Sequence, residues 1–127
     1  MKEPKKPGLQ ILVVDDEPTV LDSIRMVLSH LGHTVQTADS GAAALGLLTP
    51  DRFNLVITDY FMNGMKGDEL ATVIKQRQPG LPIIMATAYA DELKADGRLK
   101  GQVDYLLIKP FSMAELMAAI DQVTAGR

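Results

Sequence analysis

Apolar residues run along the chain in two rhythms. Leu9-Gln10-Ile11-Leu12-Val13-Val14, Asn54-Leu55-Val56-Ile57-Thr58-Asp59, Pro82-Ile83-Ile84-Met85-Ala86 and Val103 to Ile108 are short, branched-rich runs. All four have the length and content of strands, and Asn54–Asp59 and Pro82–Ala86 those of strands buried inside a sheet. Thr34 to Ala38 alternates instead, with Val35 and Thr37 facing away from Thr34 and Gln36, and predicts a further short strand. Between these runs the spacing lengthens to three and four. Val20, Leu21, Ile24, Val27, Leu28 and Leu31 make one helical face that starts near Pro18 and stops at Gly32. Asp39-Ser40-Gly41 offers a cap for an alanine- and leucine-rich helix through Leu48, closed by Pro50. A third helix is expected over Asp68–Arg77 with Leu70, Val73 and Ile74 inward, broken by Pro79-Gly80. Ser112 and Glu115 form a capping-box pattern before a last helix whose Leu116, Met117, Ile120 and Val123 share a face. The stretch from Asp91 to Lys100 is the poorest helix, interrupted by Gly97 and supported only by Leu93 and Leu99.

Five strands alternating with five helices predict an α/β fold, a five-stranded parallel sheet doubly wound with helices on two faces. Right-handed connections bring the carboxyl ends of the strands to one edge, where open sheets of this class bind ligands. Those ends carry Asp15-Asp16, Asp59, Thr87 and Lys109. Each has a plain alternative: the acidic pair could cap a helix, Asp59 and Thr87 could be turn residues, and Lys109 could be a surface lysine. Four strand ends carrying useful polar groups together weaken those alternatives.

Composition narrows the field without naming a function. The 127 residues are ordinary for one soluble domain, with 46% hydrophobic and 23% charged residues. Net charge is −3, and Lys2, Lys5 and Lys6 against Glu3 put +2 of it in the first eight residues, leaving −5 elsewhere. That balance argues against direct nucleic-acid binding. Without cysteine there is no thiolate chemistry. No apolar segment approaches a membrane span, so a cytoplasmic location is expected. Residues 1–8 are expected to be a disordered lead and residues 9–127 a single domain.

Three carboxylates in one cleft would raise one another's pKa unless a cation sits among them. A hard divalent ion such as Mg²⁺, which takes oxygen ligands, suits the place. Asp59 could then serve as ligand and as nucleophile toward phosphorus, with Lys109 and Thr87 as donors to the phosphoryl oxygens.

From about Gln10 to Val123 the sequence resembles the receiver domain of two-component response regulators, in its single-domain, chemotaxis-regulator-like form. The resemblance is carried by Val13-Val14-Asp15-Asp16-Glu17-Pro18, the run Asp59 to Gly67, Thr87-Ala88 and Lys109-Pro110-Phe111. It implies the flavodoxin-like strand order 2-1-3-4-5. It further implies that Asp59 takes a phosphoryl group from a sensor histidine kinase or a histidine phosphotransfer protein. By the same resemblance Asp15, Asp16, Asp59 and the backbone carbonyl of Phe61 hold Mg²⁺, Thr87 is the switch hydroxyl and Lys109 pairs with the phosphoryl group. The Lys109-Pro110 bond is expected to be cis. Such a domain is a phosphoacceptor and not an enzyme with turnover, read by an output partner or by a domain outside this chain.

Departures from the family pattern carry their own expectations. Leu106 stands where an aromatic residue usually reports on the switch hydroxyl, and strand alternation turns Tyr105 to the opposite face. Asn63 stands where proline is common, which predicts a looser loop after Asp59. Asp91 to Lys100 is expected to be the most mobile structured segment. Phe61 and Tyr89, two places after Asp59 and Thr87, either flank the phosphoryl group and limit water attack or merely cover the core edge. Two rival functions remain, a receiver-like interaction module that is never phosphorylated and an Mg²⁺-dependent phosphohydrolase. The latter lacks a second carboxylate placed as general acid after Asp59 and a cap domain.

Overall fold

In the computed structural model, residues 8–97 and 101–125 are described. The expected lead over residues 1–8 lies outside them except for Gly8, as does the end of the expected Asp91–Lys100 helix. The element order is β1 (Gln10–Val14), α1 (Pro18–His30), β2 (Thr34–Ala38), α2 (Gly41–Leu47), β3 (Leu55–Asp59), α3 (Gly67–Arg77), β4 (Ile83–Thr87), α4 (Ala90–Asp96), β5 (Tyr105–Ile108) and α5 (Met113–Thr124). The strands form one parallel sheet in the order β2-β1-β3-β4-β5. This is the expected doubly wound topology.

Strand alternation sorts the apolar side chains to two faces. Ile11, Val13, Ile57, Ile84 and Leu107 pack against Leu21, Ile24 and Leu28 of α1 and Leu116, Ala119, Ile120 and Val123 of α5. On the other side, Leu12, Val14, Val56 and Ile83 pack against Ala44 of α2 and Leu70, Ala71 and Ile74 of α3. A smaller cluster joins Tyr60 and Met85 to Leu93 of α4. The central strands are buried on both sides, as their apolar runs predict, whereas edge strand β2 shows the alternating burial expected of it.

Local chemistry sets the element ends. Ser40 Oγ accepts from the Ala43 amide at the start of α2, and Ser112 with Glu115 closes a reciprocal capping box on α5. Met117 departs from the expected buried face: it is 41% exposed, while Ala119 is fully buried. The small residue seats α5 close to the sheet, and the flexible thioether is left outside. Gly97 caps the carboxyl end of α4 in the left-handed conformation (φ 71°) rather than interrupting the helix. Among the described residues α4 therefore ends at Asp96.

A half-buried staple locks the far end of the sheet. Lys75 Nζ donates to the Leu81 carbonyl and to Asp104 Oδ2, each at 2.8 Å, and Asp104 Oδ2 also accepts from the Ile83 amide at 2.7 Å. These bonds tie α3 to the start of β4 and the approach to β5.

Candidate functional site

The carboxyl ends of β1, β3, β4 and β5 converge as expected. Ligand oxygens of Asp15, Asp16 and Asp59 lie within 4.8 Å of one another. Asp15 follows β1 and is 2% exposed. Its Oδ1 accepts from the Glu17 amide at 3.0 Å and its Oδ2 from Lys109 Nζ at 3.0 Å. The bond to the Glu17 amide is a local turn before α1 and not a helix cap: Glu17 itself is the N-cap residue, and no side chain caps the helix. Asp59, the last residue of β3, receives the Tyr60 amide on Oδ1 at 2.9 Å, with Lys109 Nζ 3.5 Å from the same oxygen.

Burial pushes the Asp59 carboxyl above its usual range; Lys109 and the Tyr60 amide draw it down, and Asp15 adds to the rise. Repulsion among the carboxylates is thus a smaller cause than the desolvation that a buried strand end imposes. Burial works against the Lys109 charge, yet the pull of Asp15 and Asp59 outweighs it and raises the ammonium pKa. Lys109 is consequently a charged member of the site, not a surface lysine. The donor set contains only oxygen, which fits a hard divalent cation such as Mg²⁺.

Thr87 ends β4 one residue beyond Ala86, the register partner of Asp59. It is 1% exposed, and its Oγ1 accepts from the Tyr89 amide at 3.1 Å, immediately before α4. The Lys109-Pro110 bond is cis.

The loop after Asp59 differs from the expectation of looseness. Tyr60 and Met62 are buried, the Tyr60 carbonyl accepts from the Gly67 amide at 2.8 Å, and the Asn63 amide donates to Asp16 Oδ2 at 3.1 Å. Proline has no amide hydrogen and could not make that last bond. Gly67 is required for a different reason, since a Cβ there would run into the Asp59 carbonyl and Tyr60 Cα. Its absence lets α3 start against the end of β3.

Phe61 and Tyr89 lie at the surface. They are 47% and 50% exposed, and their rings meet edge to face with centroids 5.0 Å apart. Phe61 also rests edge-on against Tyr60, and Lys66 Nζ stands 5.7 Å from its ring centre. At β5, alternation holds: Leu106 packs with Tyr60, Met85 and Leu93, whereas Tyr105 packs on the α1–α5 side. Side-chain patterns point to the acids, the lysine and the threonine, but not to the amides of Glu17, Tyr60 and Asn63. Backbone donors carry no residue-type signal.

The response regulator receiver domain model matches residues 11–121. The chain belongs to the response regulator receiver domain family. As a receiver domain it is a phosphoacceptor switch, a regulatory module of two-component systems. It is 37% identical over 111 residues to the transcriptional regulatory protein GlrR of Escherichia coli strain K12, covering 87% of this chain and 25% of that protein. With the response regulator protein FleR of Pseudomonas aeruginosa it shares 34% identity over 119 residues, 93% of this chain and 25% of that one. The chain thus spans about a quarter of the length of these relatives. Among solved structures, the response regulator TrrA of Thermotoga maritima in complex with Mg²⁺-BeF superposes with a TM-score of 0.82 at 32% identity. That match covers 90% of this chain and 97% of TrrA. A receiver domain protein of Clostridium thermocellum gives 0.84 at 31% identity, covering 91% and 93%. Receiver domains bind Mg²⁺ at an acidic pocket and are phosphorylated by histidine kinases. Among the described residues no helix is long and apolar enough to cross a membrane.

Proposed function

We propose that Asp59 is the phosphoacceptor of this receiver domain, with Asp15, Asp16 and the Phe61 carbonyl completing an Mg²⁺ site. The observation that carries this is the convergence of three carboxylates and Lys109 at one sheet edge beside a buried threonine hydroxyl. When bound, Mg²⁺ supplies charge that shields the phosphoryl oxygens from the carboxylates. Both described donors to Asp59 fall on Oδ1, which favours Oδ2 as the attacking oxygen. A new oxygen–phosphorus bond forms as the nitrogen–phosphorus bond of a donor phosphohistidine breaks, and its electron pair returns to the imidazole nitrogen. The donor is a sensor histidine kinase or a histidine phosphotransfer protein in the cytoplasm. Lys109 then pairs with the added charge.

The switch follows from one hydrogen bond. Thr87 Oγ1 now holds the Tyr89 amide. Drawing Thr87 toward the phosphoryl group would break that bond and loosen the start of α4. Because Leu106 packs against Leu93, the change passes to β5 by packing rather than by rotation of an aromatic ring. An output partner, or another domain, reads the face made by α4, β5 and α5; the acidic balance of the chain disfavours nucleic acid as its direct contact. Phe61 and Tyr89, whose rings meet edge to face, limit water's approach to the acyl phosphate and lengthen the signal.

Mass spectrometry after acetyl phosphate and Mg²⁺, beside an Asp59→Asn variant, tests the assignment. One added phosphoryl group that needs Mg²⁺ and is absent from the variant is the expected result. No addition to either protein would overturn it in favour of a phosphorylation-independent interaction module.

A further inference from the structure

Asp16 differs from the other two carboxylates in what holds it. Asp15 is fixed by Lys109 and by the Glu17 amide, and Asp59 by the Tyr60 amide and Lys109. The described bond to Asp16 comes from across the cleft, 47 residues away, from the Asn63 amide at 3.1 Å. That amide lies in a short loop already pinned on both sides of Phe61. Tyr60 is buried and its carbonyl holds the Gly67 amide, and Met62 is buried in the core beneath α3. Phe61, between them, is the residue whose backbone carbonyl is proposed above as a cation ligand.

From this placement we infer that the Asn63 backbone amide is a positioning group for the cation site. Its bond to Asp16 Oδ2 fixes one ligand carboxylate and, in the same contact, closes the loop that bears the Phe61 carbonyl. Two ligands from different strand ends are thereby brought into register before a cation arrives. A carboxylate oxygen has two lone pairs, so accepting this amide leaves Asp16 able to ligate. Ordering both groups in advance removes entropy that binding would otherwise cost. The side chain of Asn63, which is exposed, takes no part; any residue with an amide hydrogen would serve.

The inference rests on the proposed Mg²⁺ site, and its test separates the two. Mg²⁺ titrations followed by calorimetry would compare the unsubstituted chain, Asn63→Ala and Asn63→Pro. Loss of one hydrogen bond to a charged group corresponds to roughly tenfold in affinity. Asn63→Ala keeps the amide and should bind Mg²⁺ as the unsubstituted chain does; Asn63→Pro removes it and should bind about tenfold more weakly. Amide exchange without Mg²⁺ gives a second readout that needs no proline: the Asn63 amide should be slowed, and Asp16→Ala should release it. Equal Mg²⁺ affinity in all three proteins, or an unprotected Asn63 amide in the metal-free chain, would overturn the inference. No Mg²⁺ binding by the unsubstituted chain would instead overturn the cation-site reading beneath it.

Discussion

Lys109→Met removes the one described side-chain cation that faces the carboxylates and leaves a side chain of similar length. Lys109 Nζ sits 3.0 Å from Asp15 Oδ2 and 3.5 Å from Asp59 Oδ1, and the Asp15 side chain is 3% exposed. Without it, Asp15 keeps the Glu17 amide but loses its counter-charge, with Asp16 and Asp59 close by. Breaking a fully buried pair from one side costs about 3 to 5 kcal/mol. The Lys109 side chain is 25% exposed, so water relieves part of that, and the expected loss is about 2 to 3 kcal/mol. For a domain of 127 residues this lowers the melting temperature by about 7 to 11 °C. Differential scanning calorimetry with and without Mg²⁺ is the assay. Mg²⁺ supplies positive charge to the same carboxylates, so saturating Mg²⁺ should shrink the deficit of the variant, and the variant should bind Mg²⁺ more tightly. Because the folded-state pKa of Lys109 is raised, its stabilisation is full below the ordinary lysine value. It fades as pH rises through the raised one. The variant should lack that alkaline loss. A deficit under about 1 kcal/mol, or one equal in both conditions, would refute the reasoning.

Further expectations concern the acceptor, the aromatic pair, the staple and α4. The raised Asp59 carboxyl pKa means that its charged form penalises the fold above the raised value and that the penalty vanishes below the ordinary one. Metal-free Asp59→Asn should therefore be the more stable protein at neutral pH, with the gain closing as pH falls through the carboxylate range; urea midpoints at several pH values check this, and a pH-independent gain would contradict it. Phe61→Ala and Tyr89→Ala should each speed loss of the phosphoryl group in a phosphate-release assay, while unchanged rates would remove both rings from the chemistry. Lys75→Met breaks two bonds at a side chain only 18% exposed and leaves Asp104 to the Ile83 amide. A loss of about 1 to 2 kcal/mol in denaturant unfolding is expected, and none would show the staple to be idle. Amides from Asp91 to Gly97 should exchange faster than those from Val20 to Leu31, since α4 spans seven residues against thirteen in α1; equal protection would count against a mobile α4.

What the sequence determined by itself is the sheet, its faces and which polar side chains gather at its carboxyl edge. Apolar runs such as Leu55 to Ile57 and Ile83 to Met85 can be satisfied only between two layers of helices, and the connection rule then sends Asp15, Asp59, Thr87 and Lys109 to one edge. Tyr105 and Leu106 faced opposite ways for the same reason, a period of two. Tertiary structure decided what no pattern encodes. Met117, expected on the buried face of α5, stands largely outside while Ala119 packs inward, because packing distance, not hydrophobicity, chose between them. Burial rather than mutual repulsion came first in shifting Asp59, because desolvation depends on everything packed around the strand end. Asn63 tightened a loop it was expected to loosen, through an amide whose partner is 47 residues away. A side chain announces its chemistry in the sequence; a backbone N–H is present at every residue but proline, and only the fold selects which one meets a carboxylate.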